Sequence, residues 1–274
     1  MSVVLRLLDH EVRNVELEGL TPASVALQSL ADLQRRKICC GRRSVELGAL
    51  FDVTGKPDSG IIRMIGDLQH VHWIGAGMNG GAIVVEGNVG RHAGSGMKSG
   101  ELQIDGNTGD WLGAEMSGGR IRVSGNAGHL AGAGYRGSVR GMRGGELLIR
   151  GDVGDETGAI MRRGLIAVGG NCGEFVGYGM IAGSIAVHGH CGARPGAGMK
   201  RGTIALTGRQ EPPKFLPGFA ESSPAGLTIL RLLSRHLADL GMPQFLASGD
   251  VPVRVIRGDR VVDGQGEILV VREV

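Results

Sequence analysis

Gly100-Glu101-Leu102-Gln103-Ile104-Asp105-Gly106-Asn107-Thr108-Gly109 is one copy of a phrase that runs through the middle of this 274-residue chain. The phrase, Gly-x-(Ile/Leu)-x-(Val/Ile)-x-Gly-(Asn/Asp)-x-Gly, starts at Gly81, Gly100, Gly119, Gly145, Gly164 and Gly183, and half of it returns at Gly202. The steps are 19, 19, 26, 19, 19 and 19 residues. A fixed period of this size predicts stacked repeats, each resting on its neighbours.

Each unit carries one alternating apolar pair, such as Ile83/Val85, Leu102/Ile104 and Ile166/Val168. Period two puts both members on one strand face, with the residue between them facing outward. A methionine repeats in the same register at Met78, Met97, Met116, Met142, Met161, Met180 and Met199. The 26-residue step adds seven residues between Gly134 and Met142 without shifting later units. Glycine recurs too often for a helical solenoid, so the expected fold is all-β: a right-handed parallel β-helix with 19-residue turns, flanking helices and terminal strands. Phe, Trp and Tyr make up only 3% of the chain, which suits a thin core of Ile, Val, Met and Ala.

Three regions follow. Residues 1–60 are expected to form a strand-helix cap, with one helix of about 15 residues from Thr21-Pro22 to Lys37. Residues 61–208 hold the repeats. Residues 209–274 hold a proline-marked linker, a helix over 224–241 and a hairpin around Gly264-Gln265-Gly266. Such flanks cover strand edges that would otherwise recruit other chains.

The net charge of +3 does not indicate nucleic acid, and no apolar run is long enough for a membrane helix. Cys172 and Cys191 fall on one ladder of adjacent turns and read as two reduced core thiols of a cytoplasmic protein. Gly-x-Gly fragments such as Gly94-Ser95-Gly96 do not lie between a strand and a long helix, so they read as corners. His188-Gly189-His190-Cys191 is the one stretch resembling a metal site, and its simpler reading is a corner substitution. Asn88, Asn107, Asn126, Asp152 and Asn171 form a ladder expected to take left-handed corner conformations and to hydrogen-bond along the stack. No catalytic residue, cofactor-binding residue or metal ligand is assigned. The candidate site is a basic edge: Lys98, Arg143, Arg162, Arg163, Lys200 and Arg201 follow the methionine ladder, with Arg136 and Arg140 near in sequence. It suits an acidic partner or a polyanion.

Residues 106–128, Gly-Asn-Thr-Gly-Asp-Trp-Leu-Gly-Ala-Glu-Met-Ser-Gly-Gly-Arg-Ile-Arg-Val-Ser-Gly-Asn-Ala-Gly, resemble the C subunit of formylmethanofuran dehydrogenase. So do Leu216-Pro217-Gly218-Phe219, the leucine-rich stretch Leu230–Leu237, and Gly264-Gln265-Gly266-Glu267-Ile268-Leu269. The resemblance covers about residues 40–272. It implies a right-handed β-helix serving as a non-catalytic structural subunit. In methanogens the parent enzyme uses molybdenum or tungsten; the metal-pterin and iron–sulfur ligands lie on other subunits. In methylotrophic bacteria the related complex moves a formyl group from formyl-tetrahydromethanopterin to a methanofuran-type carrier and hydrolyses it to formate. The expected partners are an amidohydrolase-like A, a B and a formyltransferase D subunit, which would hold the carrier and metals. The bacterial carrier bears a polyglutamate tail, which would suit the basic edge. The divergent, arginine-rich flanks lean towards the bacterial complex.

The glycine repeat also resembles the C-terminal domain of the glutamate synthase large subunit. An independent binding solenoid is a further alternative, though it would usually bring flat threonine rows, which this sequence lacks.

Overall fold

A computed structural model of the chain describes residues 2–8, 13–208, 211–222, 227–245 and 253–271. Its centre is a mixed sheet of 13 strands. The repeats supply the middle of it through Asn79–Glu86, Ser99–Ile104, Arg120–Val123, Arg143–Ile149, Arg163–Val168, Ser184–Val187 and Thr203–Leu206, each parallel to the next. Like residues pair with like: Leu102 with Ile121, Leu147 with Ile166, Ile166 with Ile185, and Ile185 with Ile204. The 26-residue step keeps this register, because Ile121 pairs with Leu147. A second row of parallel bridges joins Leu68, Val89, Thr108, Ala127, Val153, Cys172 and Cys191. Each repeat therefore touches the next along two lines.

Between those lines lies the core. Met97, Met116, Met142, Met161, Met180 and Met199 are fully buried with Leu102, Ile121, Leu147, Ile166, Ile185 and Ile204. The methionines stack: the amide of the residue after each one donates to the carbonyl of the methionine one repeat earlier, as in Lys98 to Met78 and Ser117 to Met97. Burying each such side chain stabilises the stack by roughly 1.5–3 kcal/mol. Glycine is required at the bend where each repeat's strand begins. Gly100 has φ +94°, and a Cβ there would sit 2.6 Å from the Gly81 carbonyl oxygen and 3.0 Å from Met78 Cε.

The flanks extend the same sheet. Val3–Leu7 lies between Phe51–Gly55, antiparallel, and Ile61–Ile65, parallel. Ile61–Ile65 in turn pairs with the first repeat, Ile62 opposite Ile83. At the other end Gly266–Val271 runs parallel to Thr203–Leu206, with Ile268 opposite Ile204, so a strand from the C-terminal hairpin takes the place of a further repeat. Its antiparallel mate is Val253–Gly258.

Two expectations need correction. The single N-terminal helix is two short ones, Pro22–Val25 and Leu30–Arg35. Ser29 breaks it, since its hydroxyl accepts from the Asp32 amide and caps a second helix. Lys37 already belongs to the strand Lys37–Cys40. The C-terminal helix spans Leu227–Asp239, while 223–226 lie outside the described residues. That helix corrects the second point. The residue between each apolar pair faces away from the methionine core, but in the later repeats it is not exposed. Leu148, Ala167, Ala186 and Ala205 are buried against Leu230 and Leu237 of the helix and Leu240 and Phe245 beyond it. In earlier repeats Gln103 and Arg122 keep partial contact with solvent.

Candidate functional site

The basic edge is partly assembled. Lys98, Arg143, Arg162 and Lys200 occupy one ladder position, shown by their equivalent amide bonds to the methionine carbonyls of the preceding repeat. Ser117 and Ile181 fill the same position in two other repeats and interrupt it. Arg143 pairs with Arg163, so Arg143, Arg162 and Arg163 cluster at the middle. Arg162 is half-buried, with its Nε enclosed and without a hydrogen-bond partner, whereas Lys98, Arg143, Arg163 and Arg201 are exposed. Lys200 is drawn to the C-terminal hairpin, where its Nζ donates to the Val262 carbonyl. The edge is thus one close arginine group with outlying cations at either end.

The asparagine ladder hydrogen-bonds along the stack. Asn88 Oδ1 accepts from the Asn107 amide at 2.9 Å, Asn107 Oδ1 from Asn126 at 2.8 Å, and Asn126 Oδ1 from Asp152 at 2.8 Å. It continues through Asp152 to Asn171 and through Asn171 to His190. Its backbone is not left-handed, which corrects the expected conformation. His190 therefore sits at the end of a structural ladder. His188 lies against the Phe245 ring, 5.6 Å between centroids, and Cys191 is buried. Among the described residues no group of three His, Cys, Asp or Glu side chains gathers around them. Cys172 and Cys191 bridge across adjacent repeats through their backbones, and no disulfide joins them. Burial pushes the Cys191 thiol up to about 12, and burial, then the neighbouring Cys191 and Asp152, push Cys172 well above its usual value.

The left-handed backbone occurs at another corner, and there the structure shows a group the sequence pattern did not reveal. Trp73, His92 and Trp111 follow one another at the repeat spacing with φ of +63°, +65° and +65°. Trp73 stacks on His92, ring centroids 4.2 Å apart and planes 12° from parallel. Tyr135, the first residue beyond Gly134 in the seven-residue insertion, stacks on Trp111 at 4.8 Å. Its hydroxyl donates to Ser95 Oγ at 2.9 Å, Ser95 Oγ donates to the Trp111 carbonyl at 3.2 Å, and His92 Nδ1 lies 3.0 Å from the Tyr135 oxygen. With both hydroxyl protons committed, the remaining bond is completed by a proton on His92 Nδ1. Burial, then Arg91 and His72, lower the His92 pKa to about 4, opposed by Asp110, so the ring is neutral at pH 7. Burial raises the Tyr135 pKa. Both tryptophans of the chain stand here. The available signal was that they lie two 19-residue periods apart.

A cleft of about 390 Å³ lies where the C-terminal helix ends over the sheet, lined by Gln103, Arg122, Arg150 and Leu240 among others. Arg122 spans it, with Nε 3.0 Å from Glu101 and Nη1 2.6 Å from the Leu240 carbonyl. This arginine pins the helix end to the repeats. No helix among the described residues is long and apolar enough to cross a membrane.

No family model matches the sequence. Over 82 residues, the chain is 37% identical to the C subunit of molybdenum-containing formylmethanofuran dehydrogenase 1 from Methanosarcina barkeri; the match spans 28% of this chain and 27% of that curated relative's length. The likeness to a solved structure is far more extensive. A chain in the X-ray crystal structure of the formyltransferase/hydrolase complex (FhcABCD) from Methylorubrum extorquens, in complex with methylofuran, superposes with a TM-score of 0.86 at 32% identity. It covers 97% of this chain and 98% of that one.

Proposed function

The chain belongs to the family that comprises the C subunit of formylmethanofuran dehydrogenase and its counterpart in formyltransferase/hydrolase complexes, and from that premise we propose that it is a non-catalytic scaffold subunit of such a complex. The end-to-end likeness to a chain of the bacterial complex is the observation that carries this reading. The complex passes formyl groups from formyl-tetrahydromethanopterin to a methanofuran-type carrier and on to formate in the cytoplasm. Its A, B and D subunits carry the chemistry, the carrier and any metals. The stacked repeats form a right-handed parallel β-helix over 61–208, with 1–60 and 209–274 as its end covers.

A filled interior supports the scaffold role. The methionine, isoleucine and leucine ladders are fully buried and close-packed, which gives stiffness rather than a deep ligand cavity. The arginine group at Arg143, Arg162 and Arg163, with Lys98, Lys200 and Arg201, serves as a polyanion or acidic-partner strip. The polyglutamate tail of a methanofuran-type carrier has the matching charge.

Purification of the tagged protein from its native cell tests the reading. Co-purification with an amidohydrolase-like and a formyltransferase subunit, with formyl transfer in the pool, is expected. A lone chain that carries the activity by itself would overturn it.

A further inference from the structure

We propose that the aromatic corner of Trp73, His92, Trp111 and Tyr135, with the rest of the insertion that Tyr135 begins, is the surface on which this protein docks an acidic face of another subunit; this rests on the complex-subunit reading above.

Conformation supplies the first argument. Trp73, His92 and Trp111 all hold left-handed backbone, which costs a non-glycine residue about 1–2 kcal/mol. The same corner is left-handed at Leu130, Glu156, Phe175 and Arg194, so the conformation belongs to the repeat; what sets this stretch apart is that three consecutive repeats place large rings there. They are only half-buried, so the core does not recover the cost in full.

The second argument is the insertion, the one break in the period. It supplies Tyr135 to the ring cluster and then displays Arg136, Val139 and Arg140 to solvent, Val139 at 69% exposure. Among the described residues, the Arg136 and Arg140 side chains face no carboxylate in an ion pair. Glu115 accepts from the Tyr135 amide at 3.1 Å and Asp110 from the His129 amide at 2.8 Å, and exposed Glu18 stands near Tyr135. The insertion itself carries two arginines and no carboxylate, a positive charge that suits an acidic partner.

The geometry favours a protein over a flat small ligand. Trp73 is stacked on His92 and Tyr135 on Trp111. The remaining gap, His92 to Trp111, is 6.3 Å between centroids, whereas an inserted ring needs about 3.5 Å on each side. Tyrosine, tryptophan and arginine held rigidly together are the side chains that dominate protein interfaces. The Tyr135–Ser95–Trp111 hydrogen bonds hold these rings in place before binding, which lowers the entropy cost of association.

The test is reconstitution of the complex from this protein and the other three subunits produced together, followed by titration. Val139→Asp sets a negative charge against the acidic partner and alters an exposed side chain, so at least a tenfold weaker affinity is expected with an unchanged Tm. Arg136→Ser/Arg140→Ser should slow association several-fold and flatten its salt dependence. Wild type that assembles beside an equally tight Val139→Asp variant overturns this inference alone. So does a homodimer that Val139→Asp dissociates while subunit binding is untouched. Wild type that binds no other subunit overturns the complex-subunit reading and this inference with it.

Discussion

Tyr135 donates its phenolic hydrogen to Ser95 Oγ at 2.9 Å across 40 residues of sequence, tying the seven-residue insertion back to a turn two repeats earlier. The hydroxyl is half-buried and also meets His92 Nδ1 at 3.0 Å. Tyr135→Phe leaves both partners short of a bond. A loss of about 1–2 kcal/mol is expected in urea unfolding. The double variant with Ser95→Ala should lose less than the sum of the two singles, by about 1 kcal/mol. Full additivity would show that the bond is not formed in solution.

The His92 environment makes stability depend on pH. Its folded pKa of about 4 lies below the ordinary 6.5, so below pH 6.5 the unfolded chain takes up a proton that the folded chain refuses. Stability contributed by the neutral ring is present above pH 6.5 and is lost as pH falls towards 4. His92→Asn keeps a residue tolerant of left-handed backbone but removes the titrating group. Its Tm should fall less than that of wild type between pH 6.5 and 4.5, as read by scanning calorimetry.

Two glycines with positive φ should respond differently to alanine. Gly100→Ala drives a methyl group against the Gly81 carbonyl and Met78, and a cost of about 3 kcal/mol or more is expected. Gly77, with φ +66°, has open space around its missing side chain, so Gly77→Ala should cost only about 1–2 kcal/mol. Denaturant midpoints of the two variants compare them directly.

Thiol labelling should divide the cysteines into two classes. Cys39 is exposed and Cys40 partly so, whereas Cys172 and Cys191 are buried with raised pKa values. A thiol reagent at pH 8 is expected to modify Cys39 and Cys40 in the native protein, and the other two only after unfolding. Fast native labelling of Cys172 would mean that the bridge ladder opens.

Neutralising the basic edge tests its proposed role. Arg162, Arg163, Lys200 and Arg201 changed together to Ser should weaken binding of a polyglutamate probe at least tenfold. The remaining affinity should lose much of its salt dependence. Equal binding across a salt series would remove the strip from consideration.

Periodicity by itself determined the stacking direction, the core and the register of this protein. A constant 19-residue shift sets Ile166 beside Ile185 and Met161 beside Met180 by local repetition, and the 26-residue step preserved phase because its extra residues fall between Gly134 and Met142. The middle residues Leu148, Ala167 and Ala186, expected to face outward like Gln103 and Arg122, are buried because the C-terminal helix packs over them. Three features depend on contacts between segments far apart in the chain, which no local pattern encodes. The strand Gly266–Val271 extends the parallel ladder, Arg122 holds the helix end at Leu240, and Tyr135 closes the aromatic corner. Each arises because an unpaired strand edge, an exposed apolar sheet face or a half-buried hydroxyl finds its partner only once the repeats are stacked.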